Sequence, residues 1–205
     1  LHDLSRQMIL VNIANFKLYY YVDSVRLWET KAMVGTYYNQ TPVFKAKMQN
    51  LVFNPSWTVP YSIATKEILP KLRTDSTYLS DKGMTLMNAA GKVISQGSVD
   101  WNTVSSSNFN YTVRQEPGPG NALGQVKFMF PNKFSVYLHD TPSKYLFDRD
   151  ERAFSHGCIR VQYPLQLAEL LLRDKGFNSL KIQELLSDKK ERTVNLSKSV
   201  DVLLL

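Results

Sequence analysis

Short apolar and aromatic runs, separated by turn residues, open the chain. They cover residues 8–13, 16–22, 26–28 and 44–53. Asn15 and the Asp23-Ser24 pair stand between the first three runs, and such side chains favour turns because they hydrogen-bond to nearby backbone. Runs of this length and composition are typical of β-strands. The pattern therefore predicts a meander that opens a sheet.

A second pair of strands is predicted beyond the middle of the chain. Residues 126–130 and 134–139 are apolar or alternating runs, joined by a Pro-Asn-Lys segment at 131–133. Successive side chains of a strand point to opposite faces, so Tyr137 and His139 lie on the same face of the second strand.

The C-terminal part predicts two helices and a closing hairpin. The first helix covers residues 164–175, since proline suits its first turn and Gly176 suits its C-terminal cap. The second covers residues 180–186, with Ser179 as the N-cap. Residues 193–196 and 200–205 predict a hairpin around Ser-Lys-Ser. The fold class is therefore mainly β with a few helices (α+β).

The section between these regions has a different character. Residues 63–72 predict a short helix interrupted at Pro70, and residues 84–87 and 92–94 flank a plausible hairpin turn. Residues 103–110 are rich in Ser and Asn and predict a loop. We predict that residues 65–113 form an inserted sub-domain, which is either a cap that closes on substrate or a passive surface elaboration.

Composition limits the kind of protein this is. The 205 residues are 43% hydrophobic and 12% aromatic, as expected for a globular β-rich domain, with or without a sub-domain. The formal charge of +7 favours anionic partners in general. However, no basic run, zinc finger or aromatic-basic motif indicates a nucleic-acid partner, so a solvated basic surface is the simpler interpretation. The absence of an initial Met and the apolar end predict an excised piece of a longer protein.

The one cysteine of the chain, Cys158, lies in the segment Ser-His-Gly-Cys-Ile-Arg-Val at residues 155–161. A free thiol has a pKa of about 8.5, so a nucleophilic cysteine needs a nearby base. His156 lies two residues before the thiol and His139 lies nineteen residues before it. The arrangement predicts a catalytic pair of thiol and imidazole, with a cysteine that forms no intrachain disulfide.

Two other interpretations stay open from the residues alone. Cys158 is a buried, inert hydrophobe in one of them, although its polar neighbours disfavour this. In the other, His139, His156 and Cys158 are zinc ligands, although the chain has no second cysteine and no His-Glu-x-x-His sequence.

These residues resemble the L,D-transpeptidases with a YkuD-type catalytic domain. The signature of that family is a histidine, a spacer, then Ser/Thr-His-Gly-Cys, an apolar residue and Arg or Asn. The resemblance covers most of residues 7–178, and the long insert between Pro60 and Gly118 is most similar to the large, envelope-anchored branch of Gram-negative bacteria. Further motifs match in order at residues 33–35, 41–44, 54–60 and 118–124.

The resemblance implies a YkuD-type, β-sandwich-like fold and a role for each motif residue. Cys158 is the nucleophile, His139 is the base, and the carbonyl of Asp140 orients the imidazole. Asp140 is a departure, because many members have His-Gly-Thr where this chain has His-Asp-Thr. The backbone N–H groups of Gly157 and Cys158 are candidate oxyanion donors. His156 shapes the pocket, shares a hydrogen bond or takes part in catalysis.

Four further residues are candidate substrate contacts: Tyr137, Ser155, Arg160 and Trp57. Tyr137 either lines the site with its hydroxyl or is a core aromatic residue. Arg160 either binds a substrate carboxylate with two parallel hydrogen bonds or braces the loop through backbone carbonyls.

The resemblance also implies the reaction. A tetrapeptide stem of peptidoglycan acylates the cysteine and releases D-Ala, and the acyl group passes to another stem to give a 3–3 cross-link. An L,D-carboxypeptidase, attachment of an envelope protein, and a non-catalytic wall-binding module remain as alternatives. The expected inhibitors are carbapenems, and no cofactor or metal is expected. The expected location is the periplasm, with membrane attachment only through a removed N-terminal anchor.

Overall fold

The computed structural model describes residues 6–205. The chain divides into two compact units, one formed by the residues up to Pro55 and from Leu123 onward, the other by Ser56–Ala122. Strands outnumber helices in this part of the chain, which confirms the prediction of a mainly β fold with a few helices. None of the helices in residues 6–205 is both long and apolar enough to cross a membrane.

The strands are numbered here in chain order. They are β1 (Gln7–Asn12), β2 (Lys17–Val22), β3 (Val25–Gly35), β4 (Phe44–Phe53), β5 (Trp57–Thr58), β6 (Met84–Met87), β7 (Val93–Ile94), β8 (Thr112–Gln115), β9 (Val126–Met129), β10 (Leu138–His139), β11 (Ala153–Ser155), β12 (Ile159–Val161) and β13 (Arg192–Leu204).

The larger unit is built on one curved sheet with the strand order β11-β3-β12-β10-β9-β4-β13-β1-β2. Strand β3 also pairs with β2, so the sheet curves back toward its first strands. The helices Pro164–Leu171 and Ser179–Ser187 pack against its apolar interior, where Leu138, Ile159 and Leu167 are fully buried. The helices therefore pack behind β10, which ends at His139, and β12, which begins directly after Cys158.

The smaller unit has its own sheet and its own core. Its strands follow the order β5-β8-β6-β7, which includes the predicted hairpin of β6 and β7. A helical segment consists of Tyr61–Ile63, Ala64–Ile68 and Leu69–Leu72. Leu69, Leu86, Trp101, Phe109 and Val113 are buried together. The predicted insert of residues 65–113 lies inside this unit, and its role as a cap stays a prediction.

The predicted strand over residues 134–139 is wrong for its first four residues. Ser135 has a positive φ of 56°, which a strand does not allow. The Asn132 side chain accepts hydrogen bonds from the N–H groups of Phe134 and Val136 and donates to the carbonyls of Phe130 and Val136. This side chain stabilises a turn, so the strand is limited to Leu138–His139.

The predicted C-terminal hairpin is also wrong. Arg192–Leu204 is one strand, and both of its halves pair antiparallel with β4. The register shifts between Asn195 and Val200, so the Ser-Lys-Ser segment is accommodated as an irregularity within the ladder.

Two helix predictions need smaller corrections. Pro70 does not interrupt its helix, because it stands in the first turn after a π-helical stretch, where its missing N–H has little cost. The N-cap of the last helix is Asn178 instead of Ser179, and its side chain accepts a hydrogen bond from the Lys181 N–H.

Candidate active site

The segment that carries the cysteine is a tight turn between two strands that both pair with β3. β11 runs parallel to β3 and β12 runs antiparallel to it, so the chain reverses between Ser155 and Ile159. Gly157 has φ of 110° at this reversal, a conformation that side chains with a Cβ rarely adopt. Nothing lies closer than 3.6 Å to the position of a Cβ there, so the backbone angle is what requires glycine.

Hydrogen bonds from two hydroxyl groups hold the turn. The Ser155 Oγ accepts from the Gly157 N–H at 3.1 Å and donates to the Cys158 carbonyl. The Thr41 hydroxyl donates to the Gly157 carbonyl at 2.9 Å and accepts from the Gly35 N–H at 2.9 Å. Ser155 is therefore placed as a brace of the turn. Thr41 was not among the predicted site residues, although it lies in one of the matching motifs.

The same contacts change the prediction for the oxyanion donors. The Gly157 N–H is engaged by Ser155 Oγ and is therefore not available to a substrate in this structure. The Cys158 N–H donates to no group among residues 6–205. Of the two predicted donors, Cys158 is the one whose N–H is open to a substrate.

The register of β10 and β12 gathers four predicted residues on one face of the sheet. His139 pairs with Arg160 in parallel register, and the Ile159 N–H donates to the Tyr137 carbonyl at 3.1 Å. Because side chains alternate, Tyr137 and His139 share their face with Cys158 and Arg160. The Tyr137 and His139 rings lie 5.6 Å apart between centroids.

The Cys158 side chain is half-buried and un-ionised at neutral pH. Burial raises the pKa of the Cys158 thiol, while the Tyr137 backbone, the Arg160 charge and the Tyr137 side chain act in the opposite direction. The thiol points to the Ser135 carbonyl oxygen at 3.9 Å. Tyr137 therefore lies close enough to the thiol to favour the thiolate, and its role as a substrate contact stays a prediction.

The His139 imidazole is buried, oriented and neutral. Its Nδ1 lies 2.5 Å from the Asp140 carbonyl oxygen, so Nδ1 carries the proton and Nε2 keeps its lone pair. Burial and, to a smaller extent, the Arg160 charge lower the pKa of His139, and the Asp140 carbonyl raises it, with a result of about 3. The predicted contact with Asp140 is therefore present, and it leaves Nε2 able to accept a proton.

No hydrogen bond joins the Cys158 thiol and the His139 ring within the described residues. Such bonds are often absent before substrate binds and tighten in the complex. His156, by contrast, is exposed at the turn. His139, which is buried and held at Nδ1, is therefore the stronger candidate for the proton acceptor.

Arg160 is a cation without a hydrogen-bond partner among residues 6–205, and its Nε is fully buried. Burial lowers the pKa of Arg160, and the nearby thiol acts in the opposite direction. The alternative in which Arg160 braces the loop through carbonyls finds no support here, because no such bond is formed within this range. A charge placed in this way is suited to an anionic group of a ligand.

Trp57 pairs through β5 with Gln115 of β8, in the smaller unit. Its predicted role as a substrate contact stays a prediction. In the described part of the chain, no group of three or more His, Cys, Asp and Glu side chains is placed to hold a metal ion.

The protonation states predict how the thiol reacts with a small alkylating agent. His139 is neutral above about pH 3, and burial raises the thiol pKa, so the free protein contains a neutral thiol at neutral pH. We expect the rate of alkylation by iodoacetamide, which reports on the one cysteine, to rise with pH up to and beyond the usual thiol pKa of about 8.5. A rate that is already maximal between about pH 5 and 7 indicates a preformed thiolate and imidazolium pair, and contradicts this assignment.

Comparisons with known proteins identify the family of this chain. A sequence model of the family described as YkuD, L,D-transpeptidase catalytic domain, matches residues 6–189. A curated protein of Haemophilus influenzae, named "Putative L,D-transpeptidase", is 38% identical over 182 residues, which are 89% of this chain and 37% of the relative. The chain therefore spans little more than a third of that relative's length.

Two solved structures are similar at low identity. An L,D-transpeptidase from Mycobacterium smegmatis is 13% identical with a TM-score of 0.45, over 98% of this chain and 58% of that one. The catalytic domain of the E. faecium L,D-transpeptidase, acylated by ertapenem, is 14% identical with a TM-score of 0.42, over 99% of both chains.

Proposed function

The chain belongs to the YkuD family of L,D-transpeptidase catalytic domains, and we propose that it is a cysteine-dependent acyltransferase that forms 3–3 cross-links between peptidoglycan stem peptides. The observation that carries the proposal is the oriented imidazole of His139 on the same sheet face as the half-buried thiol of Cys158. Binding to the cell wall without catalysis does not require a thiol and an oriented imidazole on the same face.

Acylation begins when the thiol turns from the Ser135 carbonyl toward Nε2 of His139. The imidazole accepts the thiol proton as sulfur attacks the donor carbonyl carbon. The imidazolium and the developing negative charge stabilise each other, which offsets the burial that keeps each group neutral beforehand. The Cys158 N–H, which is free within the described residues, donates to the oxyanion.

The tetrahedral intermediate collapses to a thioester as the C–N bond to D-Ala breaks. His139 returns its proton to the leaving nitrogen, so D-Ala leaves with a neutral amino group. The side-chain amine of a second stem peptide then attacks the thioester carbon. His139 takes a proton from this amine, the C–S bond breaks, and the imidazolium returns the proton to sulfur, which regenerates the thiol.

Arg160 binds a carboxylate of the donor in this proposal, and Tyr137 lines the site. The terminal D-Ala supplies such a carboxylate, and the guanidinium lacks a hydrogen-bond partner among residues 6–205. With peptidoglycan as the proposed substrate, the proposed location of the domain is the periplasm. The other proposed interactions, with carbapenems at Cys158 and with substrate at Trp57, follow from the family; the E. faecium domain is a member acylated by ertapenem.

Product analysis tests the proposal. Purified protein is incubated with a disaccharide-tetrapeptide, and the products are identified by mass spectrometry. A cross-linked dimer with release of D-Ala is the expected result, and trimming to tripeptide alone identifies an L,D-carboxypeptidase. If the enzyme attaches an envelope protein instead, neither the dimer nor the tripeptide should form, and a product should appear only after a lysine-containing acceptor is added. No product with any acceptor, in a protein that also fails to react with a carbapenem, contradicts the proposal and favours a wall-binding module.

The same assay tests Arg160 separately. Replacing Arg160 by Ala removes the cation, and we expect KM for the tetrapeptide to rise about tenfold or more, since a charge-assisted pair contributes about 1.5–3 kcal/mol. A tetrapeptide whose terminal carboxyl is amidated serves as the matched substrate. If Arg160 binds that carboxylate, KM for the amidated donor should differ little between the parent and the variant. An equal loss with both donors contradicts this role.

A further inference from the structure

Asp140 follows the candidate base, His139, directly in the chain, and its side chain is almost completely buried. The residue is 2% exposed. Its Oδ2 accepts a hydrogen bond from the Gln125 N–H at 2.9 Å, and its own N–H donates to the Val126 carbonyl at 2.9 Å. Lys144 Nζ lies 3.5 Å from Oδ1. Both the backbone and the side chain of Asp140 are thus held against the segment that leads into β9.

Gly124 leaves the space for this carboxylate. It has φ of 61°, and a Cβ built on it would lie 2.4 Å from Cγ and Oδ2 of Asp140. Real Cβ atoms do not approach other atoms so closely, so any other residue at position 124 displaces the Asp140 side chain. The position of the Asp140 carboxylate therefore requires glycine at position 124.

These contacts bear on the catalytic imidazole because one residue carries both. The carbonyl of Asp140 accepts the hydrogen bond from His139 Nδ1 at 2.5 Å. On the other side of the same peptide unit, Thr141 is 2% exposed and its hydroxyl accepts from the Ser143 N–H at 3.1 Å. A glycine in place of Asp140 has no side chain to hold it and samples a much wider range of φ and ψ.

We propose that the Asp140 side chain is a positioning group, which uses the space left by Gly124 to fix the carbonyl that orients the His139 imidazole. The inference deepens the proposed thiol and imidazole chemistry and rests on it. The carboxylate does not contact the reacting atoms. It acts through the direction of one backbone carbonyl, which determines the nitrogen of His139 that carries the proton.

The test measures the tautomer of His139 directly. Nitrogen-15 spectra of histidine-labelled protein distinguish a ring protonated at Nδ1 from one protonated at Nε2, and a His139→Gln variant assigns the signals. We expect the parent protein to be protonated at Nδ1 only. In Asp140→Ala we expect a mixture of both tautomers, together with a fall of about tenfold in the rate at which a carbapenem acylates Cys158. Asp140→Asn retains an acceptor for the Gln125 N–H and should behave like the parent.

Asp201→Ala is the matched control. Asp201 is another buried carboxylate of the same unit, 0% exposed and 3.8 Å from the amines of Lys45 and Lys47. We expect its replacement to lower the melting temperature without changing the His139 tautomer. If Asp201→Ala changes the tautomer as much as Asp140→Ala does, the effect is general destabilisation and the inference fails.

A double-mutant comparison tests the match with Gly124. Gly124→Ala should produce the mixed tautomer in the parent background, because its methyl group displaces the carboxylate. In the Asp140→Gly background the added methyl group meets no side chain and should change the tautomer no further, although the strained φ lowers stability in both. An unchanged tautomer in Asp140→Ala or in Gly124→Ala overturns the proposal. The spectra decide this even if the protein forms no cross-links, so the inference and the proposed function fail separately.

Discussion

Cys158→Ala leaves the protein folded and unable to form an acyl adduct. A thiolate is the strongest nucleophile that the side chains of the site can supply, and the chain has no second cysteine to replace it. Removal of a catalytic nucleophile costs about 10⁶-fold in a well-studied hydrolase, so we expect both carbapenem acylation and product formation to fall below detection. Intact-protein mass spectrometry after incubation with a carbapenem measures the first, and product analysis measures the second.

The control for this variant is its melting temperature. The thiol is half-buried and its weak hydrogen bond to the Ser135 carbonyl spans 3.9 Å, so the variant should melt close to the parent protein. If Cys158→Ala is unfolded, its loss of activity says nothing about the nucleophile. The experiment is then repeated with Cys158→Ser, whose side chain is closer in shape to cysteine. Adduct formation at another residue in a folded Cys158→Ala protein contradicts the assignment of the nucleophile.

His139→Gln reduces the rate of acylation by about 10²–10⁴-fold, the usual contribution of a general base. Glutamine retains a side-chain N–H for the Asp140 carbonyl, but it has no lone pair equivalent to Nε2 that can take the thiol proton. The measurement is the second-order rate of carbapenem acylation by stopped-flow absorbance, at pH values from about 5 to 10. The loss should become smaller at high pH, where hydroxide ionises the thiol without help from a base.

His156→Gln is the matched control for the base. It removes the other imidazole of the motif, which the structure leaves exposed. We expect a change of less than about tenfold, because His156 is exposed, whereas His139 is buried and held at Nδ1 by the Asp140 carbonyl. If His156→Gln loses more activity than His139→Gln, the roles of the two histidines are exchanged and the account of the base is wrong.

Burial of a neutral His139 also affects folding. The unfolded chain takes up a proton near the ordinary histidine pKa of about 6.5, whereas the folded protein does so only near about pH 3. The contribution of the neutral His139 to the free energy of unfolding is therefore fully present above pH 6.5. It declines as the pH falls from 6.5 toward 3, by up to about 1.4 kcal/mol per pH unit. The instability at acid pH should be smaller in His139→Gln.

Local patterns in the sequence predicted most of the elements and the central pair. The apolar runs became β1 to β4, and the helix that begins at Pro164 is present. His139 and Cys158 were recognised because a thiol needs an imidazole and because the surrounding motif resembles a family. These features depend on residue type and spacing along the chain, which a sequence displays directly.

Features that depend on individual backbone angles could not be predicted in this way. The alternation of residues 134–139 indicates a strand, but the positive φ of Ser135 and the hydrogen bonds of Asn132 produce a turn. The hydrogen bond from the Gly157 N–H to Ser155 Oγ is likewise visible only in three dimensions, and the role of Gly157 as an oxyanion donor stays a prediction.

Contacts between distant segments were equally inaccessible. Nothing in the sequence shows that a Cβ at Gly124 would overlap Asp140, or that Thr41 holds the turn of the cysteine from 116 residues away. The absence of a hydrogen-bond partner for Arg160 within the described residues is also a result of packing. From the sequence alone, Arg160 could equally bind a substrate carboxylate or brace the loop through backbone carbonyls, and the packing favours the first of these roles.

The central claim is that Cys158 forms a thioester with the acyl part of a stem peptide. The most direct measurement is the intact mass of the protein, quenched in acid within seconds of mixing with a tetrapeptide donor, followed by peptide mapping. We predict a mass increase equal to the donor minus D-Ala, located on the peptide that contains Cys158 and removed by hydroxylamine. Turnover of the donor by a Cys158→Ala protein, or an adduct on any other residue, would contradict it.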